Sequence, residues 1–382
     1  MLQTLEFVLA QLPYLAVAVV MLLMGKVFFQ MANPGLKDSI IYKNNPASGI
    51  VFGGYMLGIA IALSGIFFGI QGQKTDTPKD TMMSLLDFII LGGMSNLIIL
   101  ATGLLMSLTL FNKKFPNTEK SVRKHKLIQL ILDKEAKAPA WVIASHFIAG
   151  GIMVKSIMTG ESDNFLIGLR DIWAYWAVGM AALFIASTLF KHIVTPYDDV
   201  AEIHSNNESA GVMVGGFNIA FAWVVGSTLV GASSNFFAEV GTTIALCVIL
   251  IPFMLIAGLV VAKLVLTPSN IQSEIARDKN FGSAALLASV LCGIAVLSSS
   301  VIEPVMLKAS ATAAALAQAE QDEAIHTAIV ETEASIEKQL NALKAHEAQV
   351  AEPAKDSDPK TETPSETSSP KVNDDASSKN KE

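Results

Sequence analysis

The stretch "TPYDDVAEIHSNNESAGVMVGG", residues 195–216, changes character half-way along. Its first half reads as a short soluble-type helix. Thr195 before Pro196 suits an N-cap followed by the first helical position, where proline's missing N–H costs nothing. Asn206 and Asn207 then interrupt, and a glycine-rich apolar run begins. The first backbone N–H groups of a helix have no intrahelical partner, and hydrocarbon offers none. Two amides at that point therefore read as caps on a membrane span. The alternative is a ring of amides that also binds an ion or a lipid headgroup.

The rest of the chain places this stretch in a membrane. Of 382 residues, 52% are hydrophobic and 16% charged, with a mean hydropathy of +0.48. Soluble domains carry about 25% charged residues. The apolar residues gather in eight blocks, near 7–29, 46–70, 84–111, 138–158, 172–190, 209–231, 241–263 and 281–303. A bilayer core takes about 20 helical residues to cross. The fold class is therefore an all-α, polytopic membrane helical bundle of eight spans. The net charge of −7 comes mainly from the C-terminal tail and gives no reason to expect nucleic acid. Cys247 and Cys292 fall within spans and read as small apolar residues rather than as a disulfide or metal pair.

Lys and Arg set the orientation. Loops after spans one, three, five and seven carry Lys37 and Lys43, eight basic residues between 113 and 137, Lys191, and Arg277 with Lys279. The other loops carry only Lys74, Lys79 and Arg170. The basic loops are expected in the cytoplasm, with both termini outside it.

The opening pattern recurs as "NPGLKDSIIYKNNPASGIVFGGYMLG" at 33–58 and "TPSNIQSEIARDKNFGSAALLASVLCG" at 267–293, with a weaker copy, "LDKEAKAPAWVIASHFIA", at 132–149. Aligning Asn45, Ala136, Asn207 and Asn280 leaves five columns that hold only Gly, Ala or Ser. They are Ala47/Ala138/Ser209/Gly282, Gly49/Ala140/Gly211/Ala284, Gly53/Ala144/Gly215/Ala288, Gly54/Ser145/Gly216/Ser289 and Gly58/Ala149/Ala220/Gly293. At 3.6 residues per turn, Ala47, Gly54 and Gly58 share one face while Gly49 and Gly53 lie roughly opposite. Small residues let helix backbones approach closely in lipid. The helix-packing positions are expected at Gly49, Gly53, Gly54, Gly58, Gly211, Gly215, Gly216, Ala284 and Gly293. Even-numbered spans should thus form an inner layer gripped on two sides, with Asn45, Asn207 and Asn280 as structural caps. The repeat is parallel, in two tandem four-helix units at 1–160 and 165–303.

The proline-to-"EI…N" turn and the small-residue span after it resemble the YjfL-like family of bacterial inner-membrane proteins, known as domain of unknown function 350. "TPYDDVAEIHSNNESAGVMVGG" and "LTPSNIQSEIARDKNFGSAALL" carry the likeness best. It covers about residues 1–303 as two consecutive copies. The first copy departs from the pattern, with "DKEAKAPAW" where an asparagine would stand. The resemblance implies a multi-pass protein of the bacterial cytoplasmic membrane with no established reaction. It also implies an envelope-maintenance role beside PspA-like membrane-remodelling partners.

Few polar residues lie deep in the spans. Asn96, His146, Asn218 and Tyr55 are the ligand-binding candidates, with interhelical hydrogen bonding as the plainer reading. There is no metal-ligand spacing, Walker loop, G-x-S-x-G, H-E-x-x-H or dinucleotide fingerprint, so no metal, cofactor or catalytic residue is expected. Between 308 and 350, Ile325, Ile329, Ile336, Leu340, Leu343 and Val350 form a narrow apolar stripe. An extramembrane amphipathic or coiled-coil helix is expected there, followed by a disordered tail over 351–382. The expected function is a non-enzymatic scaffold or envelope-integrity factor that forms a homo-oligomer through this tail in the lipid bilayer. The alternative is a small-solute or ion transporter or channel built on the fourfold repeat.

Overall fold

In the computed structural model, which describes residues 2–71, 78–111, 131, 135–159, 165–229, 236–267 and 269–350, every regular element is a helix. Helix α1 spans Leu2–Ala32, α2 Leu36–Ile41, α3 Pro46–Gln71, α4 Pro78–Phe111 and α5 Lys137–Met158. Helix α6 spans Phe165–Ile193, α7 Asp199–His204, α8 Glu208–Thr228 and α9 Phe236–Val265. A π-helical turn, Gln272–Arg277, precedes α10, Phe281–Val350. Among the described residues, eight helices contain windows long and apolar enough to cross a membrane, from Gln11–Ala32 in α1 to Phe281–Ile302 in α10. The chain is a polytopic helical membrane protein. The expected disordered tail, 351–382, lies outside the described residues.

The even spans α3, α5 and α8 stand side by side, and α10 follows next to α8, where Gly216 meets Ala288. Helix α1 packs on α3 and α4, α4 on α3 and α5, α6 on α5, α8 and α9, and α9 on α8. Small residues set the close approaches. A Cβ on Gly54 would lie 2.5 Å from the Cβ and 2.6 Å from the Cα of Ala144. One on Gly58 would run into the backbone of Phe147, and one on Gly211 would lie 2.8 Å from the Cα of Ala138. One on Gly216 would overlap the Ala288 side chain.

The expectation that every even span is gripped on two sides needs correction. In α5 and α8, 83% and 78% of the span is buried, against 50% in α3 and 28% in α10. The outer helices reach 22–44%, so α10 belongs to the inner row by position and not by burial. The packing positions at the two ends of the row divide accordingly. Gly49 and Gly53 of α3 and Gly293 of α10 would accept a Cβ with nothing within 4 Å. Ala284, in the same column as Gly49, is instead fully buried, and its column neighbour on the next turn, Ala288, is the residue that meets Gly216. The Gly49 column is therefore open in the first repeat and closed in the fourth, because α10 has a helix before it in the row and α3 has none. Among the described residues, α3 and α10 end the row, and each has a neighbour in the row on one side only.

Within residues 1–318, which form one compact unit, α5 packs against α8 across the boundary between the tandem halves. The described residues from 319 on belong to a second unit. One further expectation changes. No separate helix begins near 308: α10 continues through Pro304 to Val350.

Gly54→Leu and Gly216→Leu should lower the thermal stability of the detergent-solubilised protein. Overpacking costs about 1–3 kcal/mol, and a backbone neighbour that cannot move puts these sites at the upper end. Met56→Leu and Ile59→Leu should change it little. Equal melting of all four variants would contradict the close packing of the inner row.

Candidate functional site

Four helix starts converge at one face of the inner row, and each is built alike. Residues Asn44, Glu135, Asn206 and Lys279 occupy one aligned column, and among the described residues they are the non-glycine residues found at positive φ, at 51°, 53°, 61° and 52°. The chain turns through this left-handed residue and enters the span directly after the next one. In α3, Asn45 Oδ1 accepts from the N–H groups of Ala47 and Ser48 at 2.9 and 3.2 Å. In α8, Asn207 Oδ1 accepts from Ala210 N at 3.4 Å, and before α10 Asn280 Oδ1 accepts from Ser283 N at 3.2 Å. The Asn280 carbonyl accepts the next N–H, that of Ala284, also at 3.2 Å.

The same side chains join one repeat to the next. Asn45 Nδ2 donates to the Ile131 carbonyl, and Asn207 Nδ2 to the Ile275 carbonyl, both at 2.7 Å. Ile131 and Ile275 each stand five residues before their own aligned position, as Ile40 does in the first repeat. The second repeat has Ala136 in place of the asparagine, with no side-chain cap of its own. Its Ala138 N–H donates instead to Oδ1 of Asn206, at 3.1 Å, so the third repeat caps the second. Glu208 adds two contacts to the same junction, with Trp141 Nε1 at 3.1 Å and Lys137 Nζ at 3.8 Å. The short helix of the opening stretch begins later than the proline suggested. Asp198 caps α7 by accepting from Val200 and Ala201, while Thr195 Oγ1 donates back to Lys191 O and closes α6.

Below these starts lies a groove of about 470 Å³. Its lining is fourfold: Gly53/Ala144/Gly215/Ala288, Gly54/Ser145/Gly216/Ser289, Leu57/Ile148/Ile219/Cys292, and Ile50/Trp141/Val212 from three of the repeats. Each inner helix turns the same face to one space, and Ser145, Ser289, Cys292 and Trp141 are the polar or sulfur-bearing side chains in that lining.

The four ligand candidates do not line the groove. They meet in two clusters elsewhere. Tyr55 Oη donates to Asn96 Oδ1 at 3.2 Å, and Asn96 Nδ2 donates to Gly92 O at 2.9 Å. The Tyr55 ring stacks on Phe29 at 4.4 Å. His146 Nε2 lies 3.1 Å from Asn218 Nδ2, and Ser187 Oγ donates to Asn218 Oδ1 at 2.9 Å, which ties α5, α8 and α6 together. His146 Nδ1 is buried and has no hydrogen-bond partner among the described residues. Nor do three His, Cys, Asp or Glu side chains converge there on a metal-sized space.

The sequence profile described as Domain of Unknown Function (DUF350) matches residues 2–158 and again 163–302. The chain belongs to the DUF350 family. Comparison with curated proteins and with solved structures returns no match. Each DUF350 copy contributes two repeats, so the α5–α8 junction sealed by Asn206 and Glu208 is the seam between the copies.

Charges at this face are shifted by local contacts. Hydrogen bonds from Ser269, Asn280 and Ser283 hold Glu274 below the usual carboxylate range. Burial pushes Asp199 up, opposed by the Lys191 ammonium at 3.1 Å. Burial, with Asp199 and Glu202 nearby, raises the Tyr197 phenol.

Asn207→Ala removes a cap and the bond to Ile275, and should cost about 1–3 kcal/mol. Asn280→Ala removes a cap and the bond to Glu274 of its own repeat, as Asn207→Ala does with Glu202, but no bond to a next repeat, and should cost less, about 0.5–1 kcal/mol. Similar losses in thermal unfolding would deny the link between repeats. Because the Glu274 pKa is depressed by folding, its contribution is present above the unfolded value of about 4.3 and lost as pH falls through the folded one. The melting difference between wild type and Glu274→Gln should therefore shrink in acid. A difference that is constant with pH would contradict this contact.

Proposed function

We propose that this DUF350 protein is a non-catalytic scaffold of the bacterial cytoplasmic membrane, an envelope-integrity factor that self-associates through its C-terminal helix and works beside membrane-remodelling partners. The observation that carries this reading is the division of polarity in the core. The deep polar side chains Tyr55, Asn96, Asn218 and Ser187 are engaged in helix–helix hydrogen bonds, and the shared groove is almost wholly apolar. A path for a hydrated ion or polar solute needs polar groups along its wall. The second reading, a transporter or channel, has the buried Nδ1 of His146 in its favour, since intramembrane ionisable groups often mark a proton path.

Self-association has its own support. Ile325, Ile329, Ile336 and Leu340 are 50–59% exposed along α10. Ile329, Ile336, Leu343 and Val350 repeat every seven residues, the period of a coiled-coil seam. The distribution of Lys and Arg supports both termini outside the cytoplasm.

Purified protein in proteoliposomes should give no ion or small-solute flux above empty vesicles. Flux that disappears in His146→Ala would favour the transporter instead. Replacing Ile329, Ile336 and Leu343 with Asp should reduce cross-linked oligomers without blocking insertion, and unchanged cross-linking would deny the tail this role. Reporter fusions after Lys126 and Lys338 should read cytoplasmic and external respectively. The opposite readings would reverse the topology.

A further inference from the structure

The inner row stops at α3 and α10 with half an interface left over at each end. Between neighbours, one contact recurs. The face of a helix that bears the positions of Gly54 and Gly58 packs on the following repeat, as Gly54 does on Ala144 and Gly216 on Ala288. The face that bears the positions of Gly49 and Gly53 packs on the preceding repeat. In α8 these are Gly211, whose Cβ would meet the backbone of Ala138, and Gly215, whose Cβ would lie 3.2 Å from the Trp141 carbonyl and 3.4 Å from Ser145 Cβ. In α10 they are Ala284 and Ala288, both buried.

In α3 the preceding-repeat face is Gly49-Ile-Val-Phe-Gly53, and nothing lies within 4 Å of either glycine's Cβ position. The spacing is that of a close-packed helix pair in lipid. In α10 the following-repeat face carries Ser289 and Gly293, both exposed, with open space over Gly293. Among the described residues, the Asn280 amide donates to Glu274 but has no isoleucine carbonyl of a next repeat, whereas Asn207 has both bonds. One end of the row thus has what the other lacks.

The angle between the two packing faces says how such a row can close. At about 100° per residue, the face of 47, 54 and 58 and the face of 49 and 53 are about 140° apart, measured across the groove. A ring of four helices needs about 90° between its contacts, and a ring of eight about 135°. Four repeats therefore make half a ring, which is why the groove stands open between α3 and α10.

We propose that a second copy of this chain completes it, in a twofold dimer that seats α3 of each copy on α10 of the other. The occupant is another copy because the open faces continue the α3–α5, α5–α8 and α8–α10 contacts residue for residue. A twofold arrangement uses both ends at once and leaves no open edge. The two grooves then face each other within eight inner helices. This interface is independent of the tail.

The test uses the full chain in membranes with Cys247 and Cys292 replaced by Ala. Gly53→Cys combined with Ser289→Cys reproduces between copies the Gly215–Ser145 approach within one chain, a separation close to that a disulfide spans. The expected product on mild oxidation is a disulfide-linked dimer. Gly215→Cys with Ser145→Cys serves as the control and should give a bond within one chain. Adding the three tail Asp substitutions should leave the dimer bond in place. A bond within one chain between positions 53 and 289, a ladder beyond the dimer, loss of the bond with the tail substitutions, or no bond while the control forms would each overturn the proposal.

Discussion

The first N–H groups of a helix that starts at a bilayer have no partner in hydrocarbon, and the way this chain supplies one organises everything beneath. A single asparagine serves three ends: its oxygen caps its own helix, its backbone follows a left-handed turn, and its amide reaches the next repeat's isoleucine carbonyl. That third contact fixes where one inner helix stands relative to another. The small columns then decide how closely they stand, because a Cβ on Gly54 or Gly58 would occupy the neighbour's backbone. Capping sets the register and glycine the distance.

Much of this was legible in the sequence. Eight apolar blocks gave eight spans, since the length needed to cross a bilayer is a strong constraint and charges inside one are costly. The alignment on Asn45, Ala136, Asn207 and Asn280 falls one residue before each inner helix, because cap chemistry and close packing both leave marks in residue type. The family profile divides the chain near the same seam.

Other parts left a weaker mark. Residue type alone does not separate Gly49, with open space over it, from Ala284, fully buried in the same column, because the difference is a neighbouring helix and not a side chain. The left-handed column contains Asn, Glu, Asn and Lys, and only the asparagines are typical of that conformation. The missing cap of the second repeat is supplied by Asn206 from the third, across 68 residues of sequence, and no local pattern announces such a loan. The turn before α10 is π-helical rather than α-helical, although its sequence resembles that of α7. The polar candidates were identifiable by depth alone, but depth does not say which way a side chain turns. Tyr55 turns from the groove to Asn96 of the outer helix α4, and His146 to Asn218 of α8, because their angular position lies away from the face of Ile50, Gly53, Gly54 and Leu57.

The central claim is that the repeats cap one another, so that α5 holds its place through a residue of the third repeat. Amide hydrogen exchange at Ala138, followed by mass spectrometry on the protein in nanodiscs, tests it most directly. Exchange there should accelerate in Asn206→Ala and stay at the wild-type rate in Asn280→Ala. The same rate in all three proteins would contradict the account.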